Sequence, residues 1–319
     1  MATGVRGTGR KQDVPAPPPL IHDDVSPRSP AAQAVLAYLG DQVVAVRTLD
    51  PLVREETPDS VHQMRVATRR LRSTLTTFDR VLRADDRLGD ELRWLGGVLG
   101  TARDAEVMAA RLQAGLEQMP RELATAGAMA LVQAHFEPVE AAAHVAVLEA
   151  LDSGRYLRLL DDLDRLLARP TLTSQAGRPA AEVLPPVVRS LRRRLRRRLH
   201  HAWRSPPGPG RDDALHQARK TAKHARYAAE ALSPAFGEPA RRFASRVKDV
   251  QSVLGDHHDG VVARATIRDL GVARQVAADI AFCFGVLYQR EAGRGLELEG
   301  QARHAWKRAS GRKYARWLR

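Results

Sequence analysis

The chain has 319 residues, 44% of them hydrophobic, and 51 Lys and Arg against 37 Asp and Glu give a formal net charge of +14. One cysteine excludes an intramolecular disulfide, and no run approaches the ~18 to 20 apolar residues of a membrane span. Residues 1 to 30 lack the apolar segment of a secretory signal, so a cytoplasmic protein is expected. The charge points to phosphate-rich partners or an anionic surface. Lysine occurs only at positions 11, 220, 223, 248, 307 and 313, so nearly all the positive charge is arginine. Its planar fork suits bidentate contact with phosphate oxygens.

Abundant Ala and Leu, with only 5% aromatics, favour helices, and alternating β patterns are missing. Residues 1–29 are rich in Pro and Gly and read as a disordered tail. The first helix is expected over 31–49, burying Val35, Leu39, Val43 and Val46. Asp59 or Ser60 should cap a second helix. Further helices fit 87–118, 121–150 and 155–167, and a joint rich in Pro and Ser/Thr follows at 170–179. The second half restarts near 181–203, breaks at Ser205 to Gly210, and enters its own basic helix at Asp212 or Asp213. Helices over 238–254, 257–268, 272–292 and 296–308 complete it. The organisation expected is a tail (1–29), an N-terminal half (30–168), a linker (169–180), a C-terminal half (181–310) and a basic tail (311–319). Cys283, inside an apolar run, reads as a buried structural thiol.

The most informative feature is a repeat. His62, Arg65, Arg69 and Arg72 recur 154 positions later as His216, Arg219, Lys223 and Arg226. At about 100° per residue each set lies on one helix face, within roughly 80° in the first copy. Met64, Thr68, Leu71, Leu75 and Phe78 form the opposite, core-facing seam; Ala218, Ala222, Ala225, Ala229 and Leu232 repeat it. Arg70 adjoins the first cationic arc, and Lys220 and Tyr227 extend the second. No carboxylate interrupts residues 62 to 78, and an unrelieved cationic face calls for an anion in front of it. Downstream, Arg93, Leu99-Gly100 and Asp104 are matched by Lys248, Leu254-Gly255 and Asp259. The interval from His to Asp is 42 residues in one copy and 43 in the other, so a whole helical module is duplicated.

On these residues the chain resembles the CHAD family, the conserved-histidine alpha-helical domain, over roughly residues 31 to 310. The resemblance implies an all-α fold of two antiparallel helical bundles related by a pseudo-twofold, binding inorganic polyphosphate in a basic cleft between them. Carried over by position, it implies His62, Arg65, Arg69, Arg72 and Arg93 as ligands from the first half, and His216, Arg219, Lys223, Arg226 and Lys248 from the second. Ala225 stands where the first copy has Leu71, which suggests closer packing there.

The run from Arg189 to Arg198 keeps Leu191, Leu195 and Leu199 as its seam, so its arginines divide between water and the cleft; Arg189, Arg193, Arg196 and Arg197 are the cleft candidates. His257-His258-Asp259 hints at a metal, but adjacent helical residues point about 100° apart. No metal or cofactor is therefore expected, and Asp104 and Asp259 are expected to hold cleft cations or helix starts. Relatives are often fused to triphosphate tunnel metalloenzymes; the nearest string to their Glu-x-Glu-x-Lys is Glu297-Leu298-Glu299, which lacks the lysine. No Gly-rich phosphate loop occurs, so a binding protein is expected rather than an enzyme, with polyphosphate granules as a possible destination. The alternatives are a nucleic-acid binder, disfavoured because the faces lack base-reading amides and stacking aromatics, and a scaffold or accessory subunit for polyphosphate-metabolising enzymes.

Overall fold

The computed structural model describes residues 25–318 apart from 121, 124, 274 and 275, and the expected disordered tail falls outside these except for its last five residues. The architecture is all-α. The N-terminal half contains α1 (Ala31–Arg54), α2 (Ser60–Thr77), α3 (Asp86–Glu117), α4 (Ala126–Asp152) and α5 (Gly154–Ala168). The C-terminal half contains α6 (Ala180–Arg204), α7 (Pro209–Ala231), the short α8 (Ser233–Phe236), α9 (Glu238–Gly271) and α10 (Ala278–Ala309). The packing repeats with the sequence: α1–α2, α2–α3 and α3–α4 are in contact, and so are α6–α7, α7–α9 and α9–α10. The halves join where α2 meets α7 and α1 meets α6. A two-residue strand pair, Leu82↔Leu172 and Arg83↔Thr171, and a bridge between Pro30 and Pro179 tie the linker back to the first half.

Both seams are buried as expected. Met64, Thr68 and Leu71 have no exposed surface, nor do Ala218, Ala222 and Ala225. Each buried leucine contributes about 1.5–3 kcal/mol, while the alanine seam of α7 relies on close backbone approach.

Several boundaries differ from expectation. α1 continues through Pro51 to Arg54, because Val53 is still core. Neither Asp59 nor Ser60 caps α2: Asp59 adopts a left-handed φ of 67° and its carboxylate faces Arg103 instead. α7 starts at Pro209, and Asp212 in its first turn holds Arg264 at 3.1 Å. The expected stops at Gly255 and Gly293–Gly295 are absent, so α9 and α10 are continuous. A helical glycine costs only about 1 kcal/mol. Buried Leu254 and His257 flank the first site, and Glu291 and Leu298 flank the second, which outweighs that cost. The C-terminal residues fold back as two short 3-10 turns and bury Leu318.

The buried side chains form two cores. The larger takes residues from α1, α2, α6 and α7, from α3 up to Ala102, and from α9 up to Leu254. The smaller lies at the tips of the α3–α4 and α9–α10 hairpins, from Met108 on α3 and Ala263 on α9. There Gly115 and Gly127 admit Leu287 and Ile280 of the opposite half; an added β-carbon would stand 2.7 Å from each. Cys283 is fully buried in this tip core. The stretches of α3 and α9 between the cores belong to neither. They carry Arg103, Asp104, His257, His258 and Asp259.

Candidate polyanion-binding cleft

That polar belt faces the cationic sides of α2 and α7, and the region they share is the candidate cleft. Arg65 and Arg219 occupy matching places in it. The Arg65 guanidinium lies against Gly100, where a β-carbon would come within 3.3 Å, and pairs with Asp104 at 3.0 Å. Arg219 lies against Gly255 and approaches Asp259 at 3.8 Å. The repeated Leu-Gly and Asp therefore have one purpose: glycine clears a seat for the guanidinium, and the carboxylate one turn later orients it. In both halves the arginine Nε and the histidine Nδ1 of His62 and His216 are buried without a hydrogen-bond acceptor on the protein.

The two faces converge. Arg69 of α2 donates to the Tyr227 hydroxyl of α7 at 2.8 Å. Lys223 is pushed down to about 7 by burial and then by Arg69, Arg219 and Arg65, cations from both halves. Arg219 is lowered by burial, with Arg69 and Arg65 adding to it. Burial, then the neighbouring Arg93 and Arg69, lowers Arg72. His62 is lowered by burial and by Arg103, and His216 by burial, Lys220 and Arg219. The His216 ring stacks on His258, centroids 3.9 Å apart, and burial with His216 beside it takes His258 down to about 4. So much like charge held together is a reservoir of repulsion that an entering polyanion relieves. Asp104 and Asp259 face the cleft but are outnumbered by these cations.

The comparisons with known proteins agree with this architecture. The CHAD domain sequence pattern matches residues 37–268. The chain belongs to the CHAD domain family. Two uncharacterized proteins of Mycobacterium tuberculosis, MT2285 and Rv2226, are each 36% identical over 270 residues, covering 82% of this chain and 50% of theirs. The chain thus spans about half the length of these relatives. Among solved structures, PptA from Streptomyces chartreusis superposes with a TM-score of 0.74 at 23% identity, covering 88% of this chain and 100% of that one. The CHAD domain from the plant Ricinus communis gives 0.68 at 27% identity, covering 86% and 91%.

Within this CHAD domain the structure brings together His62, Arg65, Arg69, Arg72, His216, Arg219 and Lys223, with Arg93 beside Arg72. Lys248 is exposed on α9 two turns before Gly255, and Lys220 is exposed next to His216. Other expected ligands have different work. Glu230 accepts from Arg70 of α2 at 3.1 Å and, within α7, from Arg226 at 2.5 Å, so the Arg70–Glu230 pair ties the halves together and Arg226 braces Glu230 from its own helix. Tyr227, expected beside the second cationic arc, is 3% exposed and accepts a hydrogen bond from Arg69. On α6, Arg189 binds the Leu318 carbonyl and Arg192 the Ser310 carbonyl, holding the C-terminal turns. Arg193, Arg196 and Arg197 are exposed and do not line the cavity beside α6; the arginine of this run that does is Arg194. Arg103, close to His62, was also missed from sequence. It occupies the position of His258 in the repeat, three residues past Gly100 and Gly255, so superposing the two copies on those glycines would have found it. His257 is buried at 3.6 Å from Asp212, turned away from His258's partner.

Proposed function

We propose that this CHAD protein binds inorganic polyphosphate, without turning it over, in the cleft between α2 and α7. The observation that carries the reading is Lys223, flanked at once by Arg69 and Arg65 from one half and Arg219 from its own. Such a site suits a slim ligand with a charge on every repeat unit. A polyphosphate chain meets that description, having no bases to accommodate, whereas duplex DNA needs a broader contact surface. Family membership supports the same reading through the activity that the resemblance implies. Attachment to polyphosphate granules follows if binding is retained on long chains.

The test is a binding isotherm for defined-length polyphosphate against DNA of equal phosphate content at two ionic strengths, with competition between them. Polyphosphate should displace DNA at far lower phosphate concentration than the reverse; equal displacement would favour a general nucleic-acid binder. The double variant Arg65→Glu with Arg219→Glu should abolish binding while circular dichroism remains helical.

A further inference from the structure

A second cavity, about 1570 Å³, opens between the C-terminal end of α2, the start of α3, the linker and α6. It is not separate from the polyphosphate cleft. Arg93, which adjoins Arg72, lines it, and so do Arg194 of α6 and His224 of α7. His224 has Arg72, Arg194 and Lys223 among its charged neighbours, so cations from α2, α6 and α7 surround one point at the junction. Its Nδ1 lies 3.4 Å from Ser73 Oγ, which places the ring at the α2–α7 seam.

The charges of this cavity are not evenly available. Of its five carboxylates, Asp90 holds Arg93 at 2.5 Å, Glu182 holds Arg178 at 2.9 Å and Asp85 caps α3 through the Arg87 amide, while Asp79 and Asp86, on the α3 side, pair with no cation among the described residues. Arg194 has no carboxylate within ion-pair distance among the described residues. The α6 wall therefore presents an uncompensated guanidinium, and the α3 wall a set of acids that would keep an anion away from it. An anionic chain leaving the cleft past Lys223 and Arg72 has one favourable course, along α6.

We infer that this α6 groove is an outlying subsite of the same binding track, in which Arg194, with Arg93, holds the part of a long polyphosphate that extends beyond the cleft. The inference rests on the proposed polyphosphate reading. It makes affinity dependent on chain length through Arg194, a residue outside the repeated motif.

The experiment compares tripolyphosphate with long-chain polyphosphate by titration calorimetry, using wild type, Arg194→Glu, and Arg241→Glu as a control of equal charge change on the first turn of α9. Arg194→Glu should weaken long-chain binding roughly tenfold or more, the size of a lost charge-assisted contact, and leave tripolyphosphate affinity within about twofold. Arg241→Glu should change both only slightly. Equal losses for both ligands, or losses from Arg194→Glu no greater than from Arg241→Glu, would overturn the subsite while leaving the cleft in place. Failure of wild type to bind either ligand would overturn the reading beneath it. Thermal melts of Arg194→Glu should match wild type, because the side chain is exposed.

Discussion

Arg65 rests on Gly100: its Nη2 and Nε lie 3.3 and 3.4 Å from where a β-carbon would stand, and Asp104 on the next turn of α3 takes its Nη1. In the second half Arg219 rests on Gly255 with a looser 3.6 Å contact. Gly100→Ala should leave the melting temperature unchanged or slightly raised, since alanine favours helix by about 0.5–1 kcal/mol, while moving the guanidinium off its seat. Polyphosphate affinity should fall severalfold by isothermal titration, and Gly255→Ala should have the smaller effect. Equal affinities in both variants and wild type would show that the seats do not position the arginines.

The clamp at Glu230 should behave in the opposite way. Removing it strands Arg70 and Arg226, each largely buried, so Glu230→Gln should destabilise the fold by about 3 kcal/mol in denaturant titration. Arg70→Ala should likewise lower stability, yet polyphosphate affinity measured well below the melting temperature should hold within about twofold. A large selective loss of affinity would return Arg70 to the ligand set.

Protonation should be coupled to binding. Lys223 sits at about 7 in the free protein, and His62 and His216 lie below the ordinary histidine value, all through burial and neighbouring cations. A bound polyanion raises each of them, so binding takes up protons and affinity rises as pH falls, first through the range of Lys223 and then through that of the histidines. Calorimetry at about pH 7 in buffers of different ionisation enthalpy should register net proton uptake. Lys223→Met should reduce that uptake and weaken binding; unchanged uptake would assign the coupling elsewhere.

The same lysine should cost stability when the cleft is empty. Its folded value lies below the unfolded value of 10.5, so the unfolded chain binds more protons between the two. Stability should therefore rise with pH from about 7 toward 10, and below that window the penalty is complete. Lys223→Met should stabilise the free protein at neutral pH by on the order of 1–3 kcal/mol, seen as a higher melting temperature, while polyphosphate added to wild type should supply its own stabilisation. A lower melting temperature for Lys223→Met would contradict this.

The helical class, the duplicated module and the cationic faces were legible from residues alone, because each depends on local periodicity: the seam of Met64, Thr68 and Leu71 and the arc of His62, Arg65 and Arg69 are fixed by 3.6 residues per turn. The repeated Gly100 and Gly255 were legible, but Gly255 was read as a stop although it seats Arg219 of α7, and Gly293, which nothing approaches, was read as a stop although a helical glycine costs only about 1 kcal/mol. Which arginines meet the ligand was likewise decided in three dimensions. Arg70 and Tyr227 lie close in sequence to the arcs and Arg226 is the last member of the second, but Arg70 reaches Glu230 of α7, Arg226 pairs with Glu230 on its own helix, and Tyr227 accepts from Arg69 of α2. Along α6, sequence offers a run of near-equivalent arginines, and only the packing of Leu195 and Leu199 turns Arg194 to the cavity and sends Arg189 and Arg192 to the C-terminal turns. Local spacing sets which side chains share a face; long-range packing sets what that face meets, because the partners come from helices that sequence separation keeps far apart until the chain folds.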